Sequence, residues 1–234
     1  MANSLIRRTD LVKGKEHSLH ARFLEYFLVD GSGSMHRNWP GTMAAMTHYA
    51  DHLKSKNIRS WGIAQVFDSE NLCDIQLDCE LEFWPNLSQH NLHIPGGMTP
   101  LYDAVNLMVR DLAERAPQNC AITIVTDGDE TGNTRGGSRH TTATQARALL
   151  DWCRAQGWQV TFLGANFDNS EIANLLGANP TNLIGVRREL LGEAGETLAK
   201  KRVNNIQTGV DIDFTKDEQQ KFGGYLTGPS GGGN

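Results

Sequence analysis

At 234 residues, 39% of them hydrophobic, the chain is long enough for one large packed core or, less comfortably, two small ones. A formal net charge of -5 supplies no global field for nucleic-acid phosphates or an anionic membrane, which sets both aside as main partners. No apolar run approaches the roughly 20 residues of a membrane span, and residues 1–20 carry charges without the apolar stretch of a secretory signal, so a cytoplasmic protein is expected.

Residues 1–20 form a polar arm, with Arg7, Arg8, Lys13 and Lys15 set against Asp10 and Glu16, and read as a solvated tail. From Ala21 onward strands and helices alternate, the signature of βαβ units feeding a mainly parallel, doubly wound sheet, and a single α/β domain is expected over 21–205. Phe23 to Val29 is a nearly continuous apolar run, as a strand covered on both faces should be. Ala121 to Val125 and Val160 to Leu163 read the same way.

Cys73 to Phe83 alternates strictly, with Cys73, Ile75, Leu77, Cys79, Leu81 and Phe83 on one face and Asp74, Gln76, Asp78, Glu80 and Glu82 on the other. That pattern predicts one half-exposed, antiparallel edge strand whose acidic row discourages edge-to-edge pairing. Leu101, Val105, Met108 and Leu112 predict an amphipathic helix. Ala146, Leu149, Leu150 and Cys153 predict a second over Thr142 to Gln156, closed by Gly157 as a left-handed cap. A short helix over Ser170 to Leu176, a strand over Thr181 to Val186 and a helix over Arg187 to Val203, weakened by Gly192 and Gly195, complete the domain. Residues 206–234 are an extension ending in a Gly-rich flexible tail. Cys73, Cys79, Cys120 and Cys153 show no zinc-type spacing and fit buried reduced thiols.

The residues that carry chemistry follow the first buried strand. In Asp30-Gly31-Ser32-Gly33-Ser34 a carboxylate and two hydroxyls alternate with glycines, so three oxygens can converge on one point. Hard cations such as Mg²⁺ take oxygen ligands, and in a doubly wound sheet ligands bind at the carboxyl ends of the strands, where Asp30 falls. Gly96-Gly97-Met98-Thr99-Pro100 leads into the first amphipathic helix, with Thr99 expected at the N-cap and Pro100 at N1. Asp127 ends the strand 121–126 and is followed by Gly128. The first and third segments should be adjacent in a 3-2-1-4-5 strand order.

Together, D-x-S-x-S at Asp30, Ser32 and Ser34, Thr99 in a Gly-rich loop and Asp127 in T-D-G closely resemble the metal-ion-dependent adhesion site of von Willebrand factor A (VWA) domains. The resemblance covers about residues 21–186. It implies that Ser32, Ser34 and, in some states, Thr99 coordinate the ion directly, that Asp30 and Asp127 act directly or through water, and that an acidic residue of a partner protein fills the sixth position. Mg²⁺ is the ion implied, with Mn²⁺ or Ca²⁺ as substitutes. Phe162-Leu163-Gly164-Ala165-Asn166 resembles the fifth strand of stand-alone bacterial and phage members, which adds a virion as a second location.

Around this site, His36, Arg37 and Trp39, Arg135 to His140, and Phe167 to Asn169 are expected to form a specificity rim. Trp39 reads equally as a partner contact or as packing at the start of the next helix. Asp129 and Glu130 read as solvated loop residues, and Asp103 either bonds the metal loop or is merely polar. The expected function is a metal-dependent protein-binding module and not an enzyme. No G-x-S-x-G elbow or phosphate loop is present, and the histidines show no ligand or general-base spacing. Two alternatives stand beside it: a structural component of a virion or large assembly and, less favoured, a Mg²⁺-dependent hydrolase.

Overall fold

The computed structural model describes residues 22–90, 93–127, 130–131, 137–165 and 175–223. The polar arm, the Gly-rich tail, residues 170–174 of the helix expected over Ser170 to Leu176, and the rim residues 135–136 and 167–169 lie outside them.

Six strands form one sheet in the order β3-β2-β1-β4-β5-β6. They are β1 (Leu24–Asp30), β2 (Trp61–Phe67), β3 (Asp74–Glu80), β4 (Cys120–Thr126), β5 (Gln159–Ala165) and β6 (Leu183–Val186). All neighbours are parallel except β2 and β3. Every residue of β1, β2 and β4 is buried, which is why the β1 and β4 segments read as unbroken apolar runs.

Among the described residues five helices cover the two faces: α1 (Trp39–Ser55), α2 (Leu101–Arg115), α3 (Ala143–Ala155), α4 (Leu191–Thr208) and α5 (Lys216–Gly223). Phe27, Val29, Val66 and Leu163 pack against α1 and α4, while Tyr26, Leu28, Ile122 and Phe162 pack against α2 and α3. The capping box of Thr142 and Gln145 starts α3, and Gly157 ends it at φ +79°. No helix among the described residues is long and apolar enough to cross a membrane.

Three expectations change in the tertiary context. The edge strand stops at Glu80, and a bulge shifts its register at Ala64/Gln65, so Ile75 and Leu77 face opposite layers. Asp78 is not on a solvated acidic row, because α2 covers its face: it is buried, accepts from Trp61 Nε1 at 2.7 Å and pairs with Arg115 at 3.0 Å. The helix expected over Arg187 to Val203 begins at Leu191 and runs to Thr208, closed by Gly209 at φ +75°.

Within that helix Gly195 is a packing requirement. A Cβ there would lie 2.2 Å from the Ala45 carbonyl oxygen, so glycine is what allows α1 and α4 to touch backbone to backbone. Gly195→Ala is expected to force the helices apart and cost about 1–3 kcal/mol, as overpacking does, read as a lower urea midpoint. Beyond α4, Ile212, Phe214 and Phe222 enter the core. The segment also covers the β6 edge, where the Phe214 amide donates to the Thr181 carbonyl at 2.7 Å and Gln219 Nε2 to the Leu183 carbonyl at 3.0 Å.

No disulfide joins the cysteines; Cys79, Cys120 and Cys153 are buried, whereas Cys73 is exposed. Burial pushes the Cys153 thiol up to about 12 and Cys120 well above its usual range, which keeps both protonated and inert.

Candidate metal centre

Asp30 ends β1 in the middle of the sheet, opposite Phe67 of β2, and one residue past the last β1–β4 pair, Val29 with Val125. Its carboxylate is fully buried and accepts from the Ser32 amide at 2.8 Å and from Thr126 Oγ1 at 2.6 Å. Burial raises the carboxyl from 3.8 to about 6, against the lowering effect of those hydrogen bonds and with a further rise from the charge of Asp127.

Ser32, Ser34 and Asp127 form a continuous chain. Ser32 Oγ and Ser34 Oγ are 3.0 Å apart, and Ser34 Oγ donates to Asp127 Oδ1 at 2.6 Å. The Gly96–Thr99 loop is laid against them by backbone bonds: the Gly96 amide donates to the Gly31 carbonyl at 2.8 Å and the Gly33 amide to the Gly97 carbonyl at 3.1 Å. Gly31 is needed for close approach, since a Cβ would meet Val66 Cγ1 at 2.6 Å and His93 Nε2 at 2.8 Å. His93 Nε2 lies 3.2 Å from the Gly31 carbonyl and 3.2 Å from the buried Asp68 carboxylate, bracing the loop from behind.

Thr99 is not the helix N-cap. Pro100 occupies that position, and the Thr99 backbone instead pairs with Thr131, its amide donating to Thr131 Oγ1 at 2.9 Å and its carbonyl accepting from the Thr131 amide at 3.1 Å. The first-turn amides of α2 are satisfied from the loop after β4, Tyr102 by Glu130 at 3.0 Å and Asp103 by Ser138 Oγ at 3.0 Å. This arrangement keeps the buried Thr99 hydroxyl out of capping.

Glu130 is therefore a loop staple and not a solvated residue, since it also accepts from the Ser138 amide at 2.7 Å. Asp103 binds the amides of Arg139 and His140, at 2.7 and 3.1 Å, and so fixes the loop after β4 and not the one after β1. Trp39 is a core residue, 6% exposed, with its ring 5.7 Å from that of His93. Met98 of the Gly96–Thr99 loop is exposed. Gly128 and Asp129 lie outside the described residues.

Asn38 joins the site without any signature in the sequence. Its Nδ2 donates to Asp127 Oδ2 at 2.7 Å and to the Ala165 carbonyl at 3.2 Å, while its Oδ1 accepts from Arg188 Nε at 3.1 Å. It thus orients the second carboxylate from the mouth of α1.

Asp30, Ser32, Ser34, Thr99 and Asp127 together offer two carboxylates and three hydroxyls, an oxygen set suited to a hard divalent cation. The buried Asp30 carboxylate also gives such a cation an energetic role, because a nearby positive charge offsets the desolvation that pushes its pKa up. Among the described residues no group of three or more His, Cys, Asp or Glu is arranged to hold a metal, so a cation here would rest on hydroxyls as much as on carboxylates.

Neither a protein-family model nor a curated protein matches the sequence. Solved structures do match the fold, which is VWA-like. The vWF domain of the type V pili tip protein Mfa5 from Porphyromonas gingivalis aligns with 84% of this chain and 99% of its own at a TM-score of 0.59 and 12% identity. Proximal thread matrix protein 1 from the mussel byssus aligns over 78% of this chain and 46% of its own, at a TM-score of 0.56 and 16% identity. The PilB minor pilin from Streptococcus sanguinis aligns over 81% of this chain and 64% of its own, at a TM-score of 0.53 and 13% identity. The chain therefore spans the whole of the first domain but less than two thirds of the other two proteins.

Proposed function

We propose that the chain is a non-catalytic protein-binding module in which Asp30, Ser32, Ser34, Thr99 and Asp127 hold a divalent cation, Mg²⁺ in the first instance, that receives a carboxylate from a partner protein. The observation that carries this reading is the convergence of Asp30, the Ser32–Ser34–Asp127 chain and the Gly96–Thr99 loop at the carboxyl ends of the central strands β1 and β4. When bound, the cation supplies a Lewis-acidic position open to an anionic oxygen. Asp30 supplies buried negative charge, the serine hydroxyls and Thr99 supply neutral oxygens, and Asn38 keeps Asp127 turned toward Ser34.

The expected result in calorimetry is Mg²⁺ binding by the wild-type chain and its loss in Ser32→Ala, with unchanged circular dichroism. Equal Mg²⁺ affinity in the two proteins would sink the assignment. A pull-down with and without chelator then asks whether partner capture depends on the ion.

The second reading, a component of a larger assembly, is favoured by the solved neighbours, which include a pilus tip domain, a minor pilin and a byssus thread matrix protein. Native mass separates the two: a ring or lattice supports assembly, a discrete monomer supports the binding module.

A further inference from the structure

Arg188 lies just past β6, on the same carboxyl-end side of the parallel strands as the candidate metal centre, and its side chain is exposed. Among the described residues only its Nε is engaged, at 3.1 Å from Asn38 Oδ1, and no carboxylate pairs with its guanidinium. Asn38 in turn donates to Asp127 at 2.7 Å, so two hydrogen bonds separate the guanidinium from one of the two carboxylates of the centre. Held by a neutral amide at one nitrogen, the planar fork keeps donors for an anion arriving from solution.

The charge balance gives this cation its purpose. A divalent ion between the carboxylates of Asp30 and Asp127 is formally neutralised, so the centre by itself has no net charge with which to attract an acidic group. Arg188 restores a positive charge beside it, in a protein whose net charge is otherwise unfavourable to anions at -5.

We infer, resting on the metal-dependent reading above, that Arg188 is a second anchor beside the ion, and that the partner surface carries two acidic residues close together, one for the ion and one for the guanidinium. In an extended segment, residues two apart share a face and lie about 7 Å from each other, which suits two neighbouring positive points.

The test uses two capped peptides as probes, N-acetyl-Asp-Ala-Asp-amide and N-acetyl-Asp-Ala-Asn-amide, titrated by NMR at Mg²⁺ saturating for each protein. Wild type is expected to bind the diacidic peptide about 4- to 10-fold more tightly, a statistical factor of two multiplied by the roughly 2- to 5-fold of a partly exposed ion pair. In Arg188→Ala that ratio should fall to about two, the statistical advantage of two carboxylates able to reach the ion, and in Arg188→Lys it should lie between the two values. Because the readout is a ratio within each Mg²⁺-loaded protein, a change in metal affinity does not imitate it. A diacid preference as large in Arg188→Ala as in wild type, or one no greater than the statistical factor of about two in wild type while the monoacid still binds with Mg²⁺, overturns the inference. Absence of Mg²⁺-dependent binding of both peptides to wild type overturns the metal-dependent reading itself.

Discussion

Arg202→Met is expected to lower the unfolding free energy by about 3–5 kcal/mol, the cost of leaving one half of a buried ion pair behind. Arg202 and Glu25 are both 0% exposed, with Arg202 Nε 3.1 Å from each carboxylate oxygen. The pair is tied into its surroundings by Tyr49, which donates to Glu25 at 2.7 Å, and by Asn205, which accepts from Arg202 Nη1 at 2.6 Å. Burial works against the Arg202 charge, yet the adjacent Glu25 carboxylate holds its pKa above the usual value. Removing the arginine strands a carboxylate in the contact between the sheet, α1 and α4. A drop in Tm on the order of 10 °C should follow. The double variant Glu25→Gln with Arg202→Met should recover much of the loss, since two neutral groups leave no buried charge. A double variant no more stable than Arg202→Met would show that packing, and not charge, dominates. Glu25 lies near the start of β1 and Asp30 ends it, so Mg²⁺ affinity of the folded Arg202→Met protein should be unaltered.

The second large effect concerns Asp30→Asn, which should stabilise the chelated protein and abolish its response to Mg²⁺. The raised Asp30 pKa, about 6 against 3.8, means that the folded state binds the proton more tightly than the unfolded one. Stability of the metal-free protein therefore falls as pH rises from about 4 to about 6, and the full penalty, roughly 3 kcal/mol for a shift of this size, is present above pH 6. Asparagine carries no charge into that site, can accept from the Ser32 amide and can donate to Thr126. In chelator, urea curves of wild type and Asp30→Asn should coincide near pH 4 and diverge, with the variant more stable, by pH 7. Saturating Mg²⁺ should then raise wild type alone, in proportion to the logarithm of ion concentration over its Kd. A variant less stable than wild type in chelator at pH 7 would contradict the desolvation account.

Features that depend on neighbours along the chain are legible in the sequence. The buried run of β1, the 3–4 spacing of α2, the capping box and glycine that bound α3, and the D-x-S-x-S turn all express contacts within a few residues. Features that depend on distant segments are not. Trp39 has two equal readings in the sequence, and its packing against His93, 54 positions on by the numbering, places it in the core. Asp78 looks solvated because alternation in one strand does not show that its polar face is covered, and Arg115 reaching from α2 meets it there. Thr99 looks like a cap because its local sequence suits one, whereas Glu130 and Ser138 supply the capping from across the loop.

By itself, the sequence determined a doubly wound α/β fold and the oxygen-bearing residues at the ends of its strands, because periodicity and turn chemistry are written locally. The tertiary structure alone decided how those residues are held. The Ser34–Asp127 bond spans 93 positions, the Asn38–Asp127 bond 89 and the Arg188–Asn38 bond 150. The 3-2-1-4-5 order of the strands was legible, but which side chains meet across their ends depends on packing between distant segments and carries no mark in any short stretch of chain.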